Sequence, residues 1–187
     1  MQPETVLASR RIYNGRVVSL RVDDVRTSRS LQTMREIIEH HGAVALVAVD
    51  DDDHVMFVQQ YRHAVGRVTT EIPAGTLEPG EDPMASAARE LAEETGYSAA
   101  QLERIGGIYP SPGFCTEFIH LYLARRLTRG VAHPEDDEHI VVESVPWAEA
   151  MRRVRAGEID DAKSVCALLL ADEARRREGK WSLSEWD

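Results

Sequence analysis

Residues 75–97 read GTLEPGEDPMASAARELAEETGY, and the fold follows from this stretch. A loop carrying Pro79 and Gly80 runs into a helix whose two ends are both marked. Asp82 offers a side-chain oxygen as N-cap, and Pro83 suits the first turn, where its missing N–H costs nothing. Gly96 suits the left-handed residue just past the last turn. At about 100° per residue, Met84, Ala87, Ala88, Leu91 and Ala92 form one stripe, expected to be buried. Glu90, Glu93 and Glu94 fall on the opposite side within an arc of about 100°. The i,i+4 pair Glu90 and Glu94 repels, and the adjacent Arg89 does not balance three carboxylates. A hard divalent cation would: Mg²⁺ prefers carboxylate oxygens, keeps several waters and shares its other positions with substrate phosphates. The bland alternative is that an E-x-x-E-E helix is a solvated acidic face.

Outward from this helix the chain alternates between apolar runs and turns. Upstream, residues 43–49 form a continuous apolar strand ended by Asp50 to Asp53, with residues 54–61 as its expected hairpin partner and residues 71–75 as a further strand. Residues 17–25 and 33–39 predict an N-terminal β region. Downstream, strands are expected over 102–109, 117–127 and 140–145, and helices over 147–155 and 161–177. Strands before and after a central helix, with helices last, place the chain in the α+β class. The expectation is an α/β/α sandwich around a mixed β-sheet, with residues 1–40 as an N-terminal β region and 41–187 as the main domain.

Composition narrows the function. The 187 residues carry a formal net charge of −10, with 43% hydrophobic residues. That is enough for one core, and the acidity argues against nucleic-acid partners. Cys115 and Cys166 make neither a disulfide framework nor a zinc spacing, which points to a reducing compartment. Residues 1–11 lack the apolar core of a signal peptide, and the longest apolar run, 42–49, is too short to span a bilayer. The expectation is a soluble, cytoplasmic protein with no membrane partner. No internal repeat or low-complexity tract is present.

The spacing Gly75-x5-Glu81-x7-Arg89-Glu90-Leu91-x-Glu93-Glu94-x-Gly96-Tyr97 resembles the Nudix box, G-x5-E-x7-R-E-U-x-E-E-x-G-U, with every fixed letter in place. Only Tyr97 departs softly, standing where a bulky aliphatic is usual. The resemblance implies the Nudix fold and a loop-helix that holds catalytic Mg²⁺ or Mn²⁺. It makes Glu90 and Glu94 metal ligands, adds Glu93 when further ions bind, and suggests the Ala74 carbonyl. Arg89 would orient the glutamates together with Glu81; equally, Arg89 and Glu81 could be an ion pair fastening loop to helix.

Residues outside the box are similar to the ADP-ribose pyrophosphatase branch: Gln60-Tyr61-Arg62-His63, Glu71-Ile72-Pro73-Ala74-Gly75, and Ser111-Pro112-Gly113-Phe114, with Pro112 at the place of a branch marker. GDP-mannose and other nucleotide-sugar hydrolases share much of this. The likeness implies hydrolysis of ADP-ribose, or a related nucleoside diphosphate sugar, to AMP and ribose 5-phosphate. Arg62 suits the diphosphate, because a guanidinium fork pairs with phosphate oxygens. Glu71 either accepts from ribose or adenine, or pairs with Arg62 or Arg67. Pro112 and Gly113 belong to the substrate loop, and Phe114 either stacks on substrate or is core. Branch members draw the catalytic base from a late loop. Glu138 is the first choice and Asp136 the second, with a carboxylate there taking a proton from the attacking water. His40, His41 and His63 have no ligand spacing and are taken as structural. The branch also implies a homodimer built through the N-terminal strands. Rival readings are a GDP-mannose hydrolase, a nucleoside-triphosphate pyrophosphohydrolase and a non-catalytic ADP-ribose-binding module. The last is disfavoured because every box glutamate is kept.

Overall fold

The computed structural model describes residues 3–133 and 139–177, which fall into two compact units. The first unit contains an antiparallel sheet of β1 (Thr5–Asn14), β2 (Ser19–Arg26) and β3 (Gln32–Glu39), in the order β1-β2-β3. Residues Tyr109–Phe118 belong to this unit. The Ile38 N–H donates to Phe114 O at 2.7 Å, and the Thr116 N–H donates to Ile38 O at 2.9 Å. Strand β1 had no outline in the sequence, because all ten of its residues are exposed and no buried face imposes an alternation.

The second unit holds β4 (Ala43–Val49), β5 (His54–Arg62), β6 (Arg67–Glu71), β7 (Ala74–Thr76), α1 (Pro83–Thr95), β8 (Tyr97–Ile108), β9 (Ile119–Arg129), β10 (Val141–Pro146), α2 (Trp147–Arg155) and α3 (Ala162–Arg177). Its seven strands form one mixed sheet in the order β10-β5-β4-β9-β8, with β6 on β5 and β7 on β4. Among the described residues, the one parallel strand pairing of this sheet joins β4 to β9. Strand β4 reads as an unbroken apolar run because both its faces are covered. Val44, Leu46 and Ala48 pack with Ala87 and Leu91 of α1. Ala45, Val47 and Val49 pack with Trp147 and Met151 of α2 and Leu168 of α3. Helix, sheet and helix pair make the expected three-layer sandwich.

Three local expectations are corrected. The hairpin of β4 and β5 pairs only at Ala48–Met56 and Val49–Val55; beyond that, β7 takes the place beside β4, at Ala43–Thr76 through Ala45–Ala74. The strand expected over 71–75 is split, because Pro73 has no N–H for a ladder. The Pro73 carbonyl instead accepts from the Leu46 N–H at 2.9 Å, and the Ile72 N–H goes to Ser164 Oγ at 2.9 Å. The stripe drawn on α1 was rotated: Met84 is 46% exposed and Ala88 is exposed. The buried residues are Ser86, Ala87, Leu91, Glu94 and Thr95. The helix thus turns its glutamate side toward the sheet.

Candidate active site

The caps read from the sequence set the helix. Asp82 Oδ1 accepts from the Met84 and Ala85 N–H groups at 3.1 and 3.0 Å, and Gly96 ends α1 at φ 74°. With the helix so placed, Glu94 is only 3% exposed, and its Oε2 accepts the Ala74 N–H at 2.9 Å. Glu90 lies over Gly75, where an added Cβ would overlap its carboxylate carbon and both oxygens. The first residue of the box is glycine so that this carboxylate can lie against the backbone of β7.

Arg89 fastens the rest. Its Nε and Nη2 donate to the two Glu81 oxygens at 3.0 and 3.2 Å. Its Nη1 donates to Glu93 Oε2 at 2.8 Å and stands 2.8 Å from Glu90 Oε1. The guanidinium therefore ties the loop to the helix and also contacts two of the glutamates. The Arg89 hydrogen bonds, aided by the Glu78 N–H, hold the Glu81 carboxyl at about 2, and the same contacts raise Arg89 further.

A second polar cluster adjoins through Arg62. Its Nε and Nη2 grip Glu71 Oε1 and Oε2 at 2.9 and 2.7 Å. Thr69 Oγ1 donates to Glu71 Oε1 at 2.6 Å, and Lys163 Nζ donates to Oε2. Glu71 is 3% exposed, and four hydrogen bonds match the four acceptor positions of a carboxylate. Of the sequence alternatives for Glu71, pairing with Arg62 is the one present. Burial alone would raise the Glu71 carboxyl, but Arg62, Lys163 and Thr69 together bring it down to about 2. Arg62 is raised, first by Glu71, with Glu94 also contributing, so Arg62 lies within the field of the box carboxylates.

The other unit holds Pro112, Gly113 and Phe114. There the Phe114 and Cys115 N–H groups donate to Ser111 O at 3.2 and 2.9 Å. Phe114 is 53% exposed, which removes its core alternative. Asp136 and Glu138 lie outside the described residues. The chain leading toward them is tied to α1: the Gly130 N–H donates to Gly96 O at 2.6 Å and the His133 N–H to Glu93 O at 2.9 Å. A Cβ on Gly96 would stand 2.6 Å from the Ala132 nitrogen, so this glycine both ends the helix and admits the neighbouring chain.

Sequence reasoning missed Lys163, Thr69 and the Asp161–Ser164 turn. Asp161 Oδ2 accepts from the Ser164 N–H at 3.1 Å and from its hydroxyl at 2.6 Å. An Asp three residues before a Ser did announce a helix cap, though not what the cap faces.

The donor set fits a hard cation. Glu90, Glu93, Glu94 and the Ala74 carbonyl are all oxygen donors, and the cradle at Gly75 holds a carboxylate where a side chain would otherwise stand. Among the described residues no three acidic, His or Cys side chains are grouped to hold one ion; Mg²⁺ typically needs only one or two carboxylates beside water and phosphate.

Residues 39–181 match the NUDIX domain. The chain belongs to the Nudix family. Members of that family generally use divalent metal ions. This Nudix chain is 40% identical over 167 residues to an ADP-ribose pyrophosphatase of Bacillus subtilis, covering 88% of this chain and 90% of the relative. It is 34% identical over 144 residues to a GDP-mannose pyrophosphatase of Cronobacter sakazakii, covering 72% and 75%. Among solved structures, one described as an ADP compounds hydrolase superposes with a TM-score of 0.86 at 22% identity, covering 97% of this chain and 98% of that one. That likeness supports the fold. The chain is a Nudix hydrolase.

Proposed function

We propose that this protein hydrolyses the diphosphate of ADP-ribose, or of a related nucleoside diphosphate sugar, to AMP and ribose 5-phosphate. The observation that carries the reading is the intact box cluster, with Glu90 laid over Gly75 and Glu94 held on the Ala74 N–H. The choice of ADP-ribose is supported by the 40% identity to a relative named for that activity.

Glu90 and Glu94, with Glu93 and the Ala74 carbonyl, would hold Mg²⁺ or Mn²⁺. The bound ion supplies neutralisation of charge on the diphosphate oxygens and acidification of water. Arg89 keeps Glu90 and Glu93 in register with the loop. Arg62, anchored by Glu71 and 41% exposed along its side chain, meets the diphosphate. Water attacks one phosphorus, the bridging P–O bond breaks, and Glu138 takes the water's proton, with Asp136 the second choice. Ser111 to Phe114 contribute contacts to base or terminal sugar.

The N-terminal sheet is assigned to homodimerisation: Val6, Leu7, Ile12 and Tyr13 of β1 are all exposed apolar side chains. Both cysteines are free thiols, which suits the cytoplasm. No helix among the described residues is long and apolar enough to cross a membrane.

The test is a substrate panel with Mg²⁺, reading AMP release. ADP-ribose is expected to exceed GDP-mannose in kcat/KM by at least about tenfold, roughly 1.4 kcal/mol at the transition state. The diphosphate is common to both, so Arg62→Ala should weaken both and leave their ratio unchanged. A higher kcat/KM for GDP-mannose, or for a nucleoside triphosphate, would overturn the choice of substrate.

A further inference from the structure

Lys163 lies in the first turn of α3 and reaches across to β6. Its ammonium group contacts Glu71 of β6 and, at 2.9 Å, Asp161 Oδ2 at the start of α3. Its side chain is 12% exposed. The backbone carrying it is fixed on both sides. Asp161 caps the helix through the Ser164 N–H, and Ser164 Oγ holds the Ile72 N–H at 2.9 Å. Ile72 lies between β6 and β7, so this turn is fastened to the segment that leads into Ala74 and Gly75.

The two cations divide one carboxylate between them. Glu71 Oε2 accepts from both Arg62 Nη2 and Lys163 Nζ. Glu71 and Asp161 are two carboxylates, and the charges of both act on Arg62. Lys163 is the cation set between them. Without it, Arg62 would face both acids with one counter-charge fewer, be drawn more firmly onto Glu71, and offer less to an incoming anion.

We infer that Lys163 is a positioning residue for this site, governing how strongly Arg62 can engage the substrate diphosphate through the shared carboxylate of Glu71. This rests on the functional reading that gives Arg62 to the diphosphate. Lys163 need not touch the substrate.

The experiment is a double-mutant cycle on the full chain, with ADP-ribose and saturating Mg²⁺. Lys163→Met should raise KM about tenfold while kcat stays within about twofold, because the box cluster is untouched. Lys163→Arg should restore KM to near the parent value. In an Arg62→Ala background, Lys163→Met should raise KM no further, since the residue through which it acts is gone. Melting temperatures are recorded for every variant. If Lys163→Met fails to fold, Lys163→Gln, which keeps a donor but not the charge, carries the same cycle. An equal KM increase in both backgrounds would overturn the inference alone. So would an unchanged KM in Lys163→Met when Arg62→Ala itself raises KM. A parent-like KM in Arg62→Ala would overturn both this inference and the diphosphate role of Arg62.

Discussion

Replacing Gly75 by alanine should cripple turnover and leave the fold nearly intact. The backbone at this position tolerates a side chain, because Gly75 is not among the glycines held at positive φ. The added methyl would meet no backbone of another element among its nearest atoms; it would meet the Glu90 carboxylate. To regain ordinary contact distance, that carboxylate must retreat by on the order of 1.5 Å. Glu90 is the end of a flexible side chain, so rotation can relieve the overlap and the stability cost should stay below about 1.5 kcal/mol. Catalysis is less forgiving, since a displacement of about 1 Å in a reacting constellation can cost about 100-fold, or roughly 2.7 kcal/mol. The assay is kcat for AMP release across a Mg²⁺ titration, beside a thermal melt. A Gly75→Ala variant should show a fall of about 100-fold that excess Mg²⁺ recovers only in part. Turnover within about threefold of the parent, with the melt unchanged, would refute the idea that Gly75 is there to seat Glu90.

Glu94→Gln and Glu90→Gln should each lower turnover by about 100-fold or more, while removal of like charge keeps or slightly raises the melting temperature of the ion-free protein; near-parent rates under saturating Mg²⁺ would dismiss the cluster. Glu138→Gln should lower kcat far more than it raises KM, whereas the same loss in Asp136→Asn with Glu138→Gln unaffected would move the base to Asp136. Acid stability should follow Glu71, whose folded carboxyl sits at about 2 against an ordinary value of 4.5. Because that folded value is depressed, its contribution is complete above about pH 4.5 and is lost as the pH falls toward about 2, on the order of 3 kcal/mol in all. Urea unfolding at about pH 5 and pH 3 should show a steeper loss for the parent than for Glu71→Gln, and equal slopes would remove Glu71 as the cause.

The readable parts of this molecule were those where a local rule acts alone. Asp82, Pro83 and Gly96 bracket α1 because capping depends on a few neighbouring atoms, and β4 declared itself because both its faces are buried. The box glutamates read as the side opposite the buried stripe, whereas Glu94 is only 3% exposed and lies with Ala87 and Leu91. Glu94 lies buried because it stands seven residues after Ala87, about 20° away around the helix, and so shares the side on which Ala87 and Leu91 are buried. Glu71 remained ambiguous for a different reason. A carboxylate on a strand names no partner until the side chain of Arg62, from the end of the neighbouring strand, reaches it and α3 brings Lys163 across a separation of 92 residues. Nothing in the sequence around Lys163 names Glu71 as its partner. The break at Ile72–Pro73 was signalled by the proline, but the hydroxyl that rescues the Ile72 N–H comes from Ser164, far along the chain. The share of the site still carried by sequence alone is Asp136 and Glu138, which lie outside the described residues.

The parallel pairing of Ala43 with Ile119 has a consequence for the chain as it is being made. The innermost strand leaves the ribosome roughly 75 residues before its parallel neighbour, which at 5–20 residues per second is a wait of about 4–15 s. During that interval AVALVAV is a bare stretch of β-branched and small apolar residues, the composition most prone to pair with its own kind. The aspartates at 50–53 that follow it make the turn into β5 and place like charges beside that stretch, which opposes such pairing. Neutralising them should therefore lower soluble yield in rapid expression more than it lowers the stability of the finished protein.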